Sequence, residues 1–179
     1  ASPWPRMTYQ ESMRRFGKDN PDLRFGMELM DISDIAGQSG FKVFEGAVSS
    51  GGQVSGINAS GLGNYSRKEI DALVEFVSQF GARGLAYLAL TSDGEQRSSF
   101  AKFLSAEDQQ AIISRFEAQP GDLLLFVADR QEVVYESLGR LRVMLADRLN
   151  LRDPDLLAFC WIIDFPFVVW NEDEQRWDP

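Results

Sequence analysis

The sequence contains no histidine and a single cysteine, Cys160. The first absence removes the commonest general base and the commonest metal ligand; the second removes any internal disulfide and any thiolate zinc site. Catalysis by this chain alone would have to rest on carboxylates, Lys, Arg or Tyr, which points away from an active site within it. Cys160 lies in the apolar word Phe159-Cys160-Trp161-Ile162 and is expected to be an inert core thiol, in keeping with a reducing cytoplasm. Long apolar runs are lacking as well. The longest, Leu156 to Ile163, is far short of the roughly 20 residues a bilayer span requires, so it reads as a buried strand and membrane insertion is not expected. No basic segment followed by an apolar stretch opens the chain, so no secretory signal is expected. Basic residues are also in the minority, with 18 Lys and Arg against 27 Asp and Glu and a net charge of −9. Such a field repels a polyanion on average, so any phosphate contact would need a local basic patch.

What is present suits one folded domain. A length of 179 residues, 44% of them hydrophobic and 25% charged, provides a real core and argues against disorder. Thr8-Tyr9-Gln10-Glu11 has the T-x-x-E form that satisfies free amides at a helix start, with Gly17 placed to end the helix and Asp19-Asn20-Pro21-Asp22 forming a turn. A second short helix is expected near Ser33. Val43 to Val48 and Val54 to Ala59, around Gly51-Gly52, alternate with period two and predict a β-hairpin. Ser66-Arg67-Lys68-Glu69 opens a helix with Ile70, Leu73, Val74 and Val77 on one face, stopped by Gly81. Leu85 to Leu90 predicts a strand, Ser92 to Ser99 a polar loop, and Phe100 to Leu104 a short apolar piece. Ser105-Ala106-Glu107-Asp108 caps a helix carrying Ile112, Ile113 and Phe116, and Leu123 to Val127 is a short buried strand. Asp129 to Glu132 caps the longest helix, periodic from Val133 to Leu149, and Leu156 to Trp170 is strand-rich and aromatic. Mixed hairpin and crossover connections favour an α+β fold, a sheet covered by helices.

Local chemistry is sparse. Gly51-Gly52 and Gly61-Leu62-Gly63 lack the Lys-Ser/Thr of a P-loop and the spacing of a dinucleotide fingerprint, so turns explain them. Glu172-Asp173-Glu174 has no ligand spacing for a hard cation and reads as a solvated turn. Two basic groups, Arg14, Arg15, Lys18 and Arg24 near the start and Arg140, Arg142, Arg148 and Arg152 around the long helix, could touch an RNA backbone. Both alternate with acids such as Glu11, Asp19, Asp147 and Asp153, which favours solvated helix faces. Trp4, Trp170 and Trp177 sit near the two chain ends, where they either meet a surface outside the chain or pack on one another.

Several words in order carry a resemblance. Pro5-Arg6-Met7-Thr8-Tyr9, Glu11-Ser12-Met13-Arg14-Arg15-Phe16-Gly17 and Pro21-Asp22-Leu23-Arg24-Phe25 resemble the stretch after motif 2 of bacterial-type aspartyl-tRNA synthetases, which are class II. Phe80-Gly81-Ala82-Arg83-Gly84-Leu85-Ala86-Tyr87, Ala101-Lys102-Phe103-Leu104, Gly121 to Asp129 and Leu138-Gly139-Arg140-Leu141-Arg142 are similar to the GAD domain inserted in these enzymes. Trp161-Ile162-Ile163-Asp164-Phe165-Pro166, Trp170 and Arg176-Trp177 resemble the strand that returns to the catalytic domain before the family's HHPFT word. Asn20, where the family usually has lysine, and Val169, where it usually has an acid, depart from the pattern.

The resemblance implies an internal piece of such a synthetase: residues 1–30 a connecting arm from the catalytic domain, 31–155 a GAD insertion domain built as an antiparallel sheet with helices, and 156–179 a strand returning to the catalytic domain. It implies a cytoplasmic parent enzyme, itself a homodimer, that attaches aspartate to tRNA with ATP and Mg, with this domain auxiliary and near the tRNA acceptor end. The family's ATP- and aspartate-binding residues lie in motifs absent from this chain, so no catalytic, cofactor-binding or metal-binding residue is assigned here. An alternative setting for the same module is a GAD-bearing subunit of a tRNA-dependent amidotransferase.

Overall fold

The computed structural model describes residues 4–171 and 174–178. Residues 1–3, 172, 173 and 179 and the side chains of Val169 and Asn171 lie outside the described residues, Glu172, Asp173 and the Val169 side chain singled out above among them. In chain order the elements are β1 (Arg6–Thr8), α1 (Tyr9–Phe16), β2 (Met30–Asp31), α2 (Ser33–Ala36), α3 (Lys42–Ser49), β3 (Gln53–Ala59), α4 (Arg67–Ser78), β4 (Ala86–Leu90), β5 (Gln96–Ser98), a 3-10 turn (Ala101–Phe103), α5 (Ala106–Arg115), β6 (Leu123–Asp129), α6 (Gln131–Arg148), β7 (Trp161–Ile163), β8 (Val169–Asn171) and β9 (Arg176–Asp178).

Three helices begin where short-range chemistry places them. The Thr8 hydroxyl accepts from the Glu11 amide at 3.1 Å, Ser105 accepts from Asp108 at 3.0 Å, and Ser66 and Glu69 form a reciprocal capping box; a cap of this kind contributes about 1 kcal/mol. Gly17 ends α1 at φ 67° and donates to the Met13 carbonyl, the left-handed stop that only glycine makes without strain.

The central sheet has the order β2-β3-β6-β4-β5, and every pair in it is antiparallel. Its spine is the pairing of β3 with β6, from Gln53 opposite Asp129 to Ala59 opposite Leu123. Alternate β6 side chains feed two cores. Leu123, Leu125 and Val127 meet Leu73 and Val77 of α4 and Val134, Leu138, Leu141 and Leu145 of α6. Leu124 and Phe126 meet Phe44 of α3, Ile112 of α5 and Phe100. The fold is therefore α+β, an antiparallel sheet between two helical layers, and β6 is apolar from Leu123 to Ala128 because both of its faces are covered.

Four local expectations give way to the structure. Residues 42–49 form helix α3, not the first strand of a hairpin: Val43-Phe44-Glu45-Gly46-Ala47-Val48 fits period two, but Phe41, Phe44 and Val48 are three and four apart and together join the second core, while Val43 is 57% exposed. The loop at 92–99 contains β5, a polar edge strand held by backbone pairing to β4. No Asp129 side chain caps α6; its cap position is Arg130 and shows no side-chain cap bond, because Asp129 still belongs to β6. Leu156 to Ile163 is not a buried strand: only Trp161–Ile163 is extended in a ladder, and Leu156, Leu157, Phe159 and Trp161 are exposed. Cys160 is accordingly half-buried and outside the core.

The chain's two ends meet beside this domain. β1 pairs with β7 in parallel, Met7 opposite Ile162, and β8 pairs with β9 as a separate hairpin.

Candidate functional site

The most built polar feature joins α6 to the segment between α1 and β2. Arg142 stands on the apolar stripe of α6, four residues after Leu138 and three before Leu145, and is 1% exposed. Its Nε donates to the Met27 carbonyl at 3.1 Å, and its Nη2 donates to the carbonyls of Asp22 at 2.9 Å, Phe25 at 3.0 Å and Gly26 at 2.9 Å. The guanidinium lies 3.9 Å from the Phe25 ring centroid and 4.9 Å from that of Phe16. Burial pushes its pKa down to about 10, so it remains protonated at neutral pH. A buried charge of this kind is tolerated because carbonyl dipoles, two aromatic faces and the nearby negative charges of Asp22 and Glu28 replace the lost water.

The Asp22 carboxylate forms the outer half of the same feature. It accepts from Arg24 Nη2 at 2.7 Å and Nε at 3.0 Å and lies 3.7 Å from Arg152 Nη1. The Arg24 hydrogen bond, with Arg152 nearby, holds its carboxyl at about 2, well below the usual range. Arg152 also pairs with Asp147, and Arg24 Nη1 reaches the Asp153 carbonyl. One turn earlier on α6, Gly139 touches the end of α1 so closely that a Cβ there would stand 2.8 Å from the Gly17 carbonyl oxygen; a Cβ on Gly17 would stand 2.2 Å from the Tyr135 carbonyl oxygen.

The second feature is aromatic. Trp4 packs on Phe159 and Trp161, with ring centroids 5.0 and 6.0 Å apart. Trp170 meets Trp177 edge-on at 5.3 Å, and Tyr9 meets Phe165 at 5.2 Å. These rings thus pack on one another and still face outward: Trp4, Phe159, Trp161 and Trp177 are all more than half exposed, as is the neighbouring Phe167.

The sequence profile of the GAD domain matches residues 44–138. The match runs from α3 into α6 and includes four of the five strands of the central sheet. The chain belongs to the GAD domain family. Similarity also extends beyond the GAD domain on both sides. The chain is 57% identical, over 98% of its length, to an aspartate–tRNA(Asp/Asn) ligase of Symbiobacterium thermophilum, and equally identical over the same share to one of Geotalea uraniireducens. It is 48% identical, again over 98%, to an aspartate–tRNA ligase of Ruminiclostridium cellulolyticum. The chain spans about 30% of the length of these relatives.

In the structure the two basic groups separate. Arg15 is bound by Glu28 and Glu11 and Arg140 by Glu136, as solvated ion pairs do. Arg142 is neither a solvated face nor an RNA contact. The words Pro21 to Phe25 and Leu138 to Arg142, distant in sequence, are one contact in space. Sequence reasoning missed this role, although an arginine on the stripe of Leu138, Leu141 and Leu145 was a usable signal.

A cleft of about 840 Å³ on the α3 side of the sheet is lined by Phe41, Phe44, Ala47, Arg83, Phe126 and Asp129, with Arg83 3.9 Å from Asp129 at its rim. Among the described residues, no three His, Cys, Asp or Glu side chains converge as metal ligands, and no helix is long and apolar enough to cross a membrane.

Proposed function

We propose that this chain is the GAD-bearing segment of an aspartate–tRNA ligase, a class II aminoacyl-tRNA synthetase whose reaction joins aspartate to tRNA using ATP and Mg. Residues 1–30 act as the arm coming from the catalytic domain, 31–155 as the inserted domain and 156–179 as the returning strand. The segment itself is auxiliary, lying near the tRNA acceptor end in a cytoplasmic homodimeric enzyme.

The observation that carries this reading is the 57% identity over 98% of the chain, which includes both arms and not the GAD domain alone. An amidotransferase subunit would account for the domain without accounting for Pro5 to Phe25 or Trp161 to Pro166. The terminal pair supports the same setting. Parallel strands normally lie within sheets covered on both faces, and a two-stranded piece is marginal in water; here Trp161 of β7 is 55% exposed.

The test compares the 179-residue chain with the intact gene product in aspartate-dependent ATP–pyrophosphate exchange and in tRNA aspartylation. The intact protein is expected to be active in both and the chain in neither. Exchange by the chain above background would refute the auxiliary assignment, and an inactive intact protein would refute the ligase reading.

A further inference from the structure

Two stretches connect the GAD domain to the strand pair of β1 and β7, and both lack regular structure: residues 17–29 on the way in and 149–160 on the way out. Alone, two such straps would let the domain swing. They are not alone. Arg142 gathers four carbonyls of the first strap onto α6. The Asp22 carboxylate on that strap approaches Arg152 of the second at 3.7 Å, and Arg24 donates to the Asp153 carbonyl of the second at 3.4 Å. Upstream, α1 is joined to β1 through its Thr8 cap and rests on α6 where Gly17 meets Gly139. The connections therefore run without a gap from the sheet, through α6, to the strand pair.

We propose that Arg142 and Asp22 form a clasp that fixes the angle between the GAD domain and its terminal strand pair, so that the domain is carried as a rigid extension of those strands. These are positioning residues. The apolar cluster around Ile57, Leu73, Leu125 and Leu138 is built from hydrophobic side chains and takes in Leu29 and Met27 at the domain end of the first strap, so removing the Arg142 donors leaves that cluster in place and frees the strap from Asp22 to Gly26. Opening the clasp frees the straps while the five-stranded sheet stays folded. The clasp is independent of the ligase reading, because its test needs only the chain.

The experiment places one spin label on the native Cys160, next to β7, and a second on an exposed α4 position through Lys68→Cys, and measures the inter-label distance by pulsed EPR. Arg142→Met keeps the length of the stem and removes every donor; Asp22→Asn keeps the shape and the Asp22 carbonyl and removes the charge. The parent chain is expected to give one narrow distance distribution. Arg142→Met is expected to broaden it strongly and Asp22→Asn to broaden it less, with amide-exchange protection of β3 and β6 unchanged in both. Distributions as narrow as the parent's in both variants would overturn the proposal. If Arg142→Met loses protection in β3 and β6, Asp22→Asn decides: a broadened distribution over a protected sheet supports the clasp, and an unchanged one refutes it.

Discussion

Replacing Gly139 by alanine sets two known effects against each other. Gly139 lies inside α6, where alanine is favoured over glycine by about 1 kcal/mol. Against that, the added methyl would stand 2.8 Å from the Gly17 carbonyl oxygen and 3.0 Å from that of Phe16. Both obstacles are backbone, and Gly17 is held at φ 67° as the stop of α1, so neither can rotate aside. Overpacking of this kind costs about 1–3 kcal/mol. If α1 lifts instead, Phe16, 3% exposed, loses cover worth about 2 kcal/mol. The clash at least offsets the gain in helix propensity, and Gly139→Ala is expected to destabilise the chain by about 0–2 kcal/mol net. Gly46 in α3 is the matched control, because nothing lies within 4 Å of the Cβ it would gain; Gly46→Ala should stabilise by up to about 1 kcal/mol. Urea unfolding followed by far-ultraviolet circular dichroism measures both. A Gly139→Ala chain as stable as the Gly46→Ala chain would refute the close approach of α1 to α6.

Phe44→Ala is expected to cost about 3–5 kcal/mol, because Phe44 is fully buried among Phe100 and Phe126, whereas Val43→Lys should change stability by less than about 0.5 kcal/mol; comparable losses at the two positions in urea titrations would refute the placement of Phe44 under the sheet with Val43 facing outward. The folded Asp22 carboxyl titrates at about 2 against 3.8 for the free group, so its contribution is complete above pH 4 and is lost as the pH falls towards 2. Its arginine partners are partly open to solvent, which limits that contribution to about 1 kcal/mol. The stability gap between the parent chain and Asp22→Asn should therefore close between pH 4 and pH 2 in thermal melts, and a gap of constant size across that range would argue against the Arg24 pairing.

The helix starts at Thr8, Ser66 and Ser105 were legible because a cap is settled within four residues. The strand at Leu123 to Val127 was legible because burial on both faces demands an unbroken apolar run; its last two residues, Ala128 and Asp129, were not. Residues 42–49 were not, since six residues of mixed polarity satisfy both the strand and the helix period, and only the placement of Phe44 under the sheet decides between them. β5 carries Gln96, Arg97 and Ser98, with no apolar signal at all; its pairing is a property of the β4 backbone. The junction was half visible. Arg142 sits at a recognisable apolar spacing, but its partners are carbonyls 115 to 120 residues upstream, and a carbonyl leaves no mark in the sequence. Leu156 to Ile163 was misjudged for a related reason: apolar composition states what a segment can bury against, and among the described residues β7 has only β1 for a ladder neighbour.

The direction of the β1–β7 pair limits how the region can be re-engineered. Two strands running the same way cannot be joined by a tight turn; they need a connection of a dozen or more residues that returns across the sheet. Everything from Tyr9 to Cys160 serves as one such return, enlarged into a domain. A shortened version that splices Thr8 to Trp161 through a two-residue loop would break the ladder, whereas a single helix of about a dozen residues, with a short loop at each end, is the least substitute that leaves Met7 opposite Ile162.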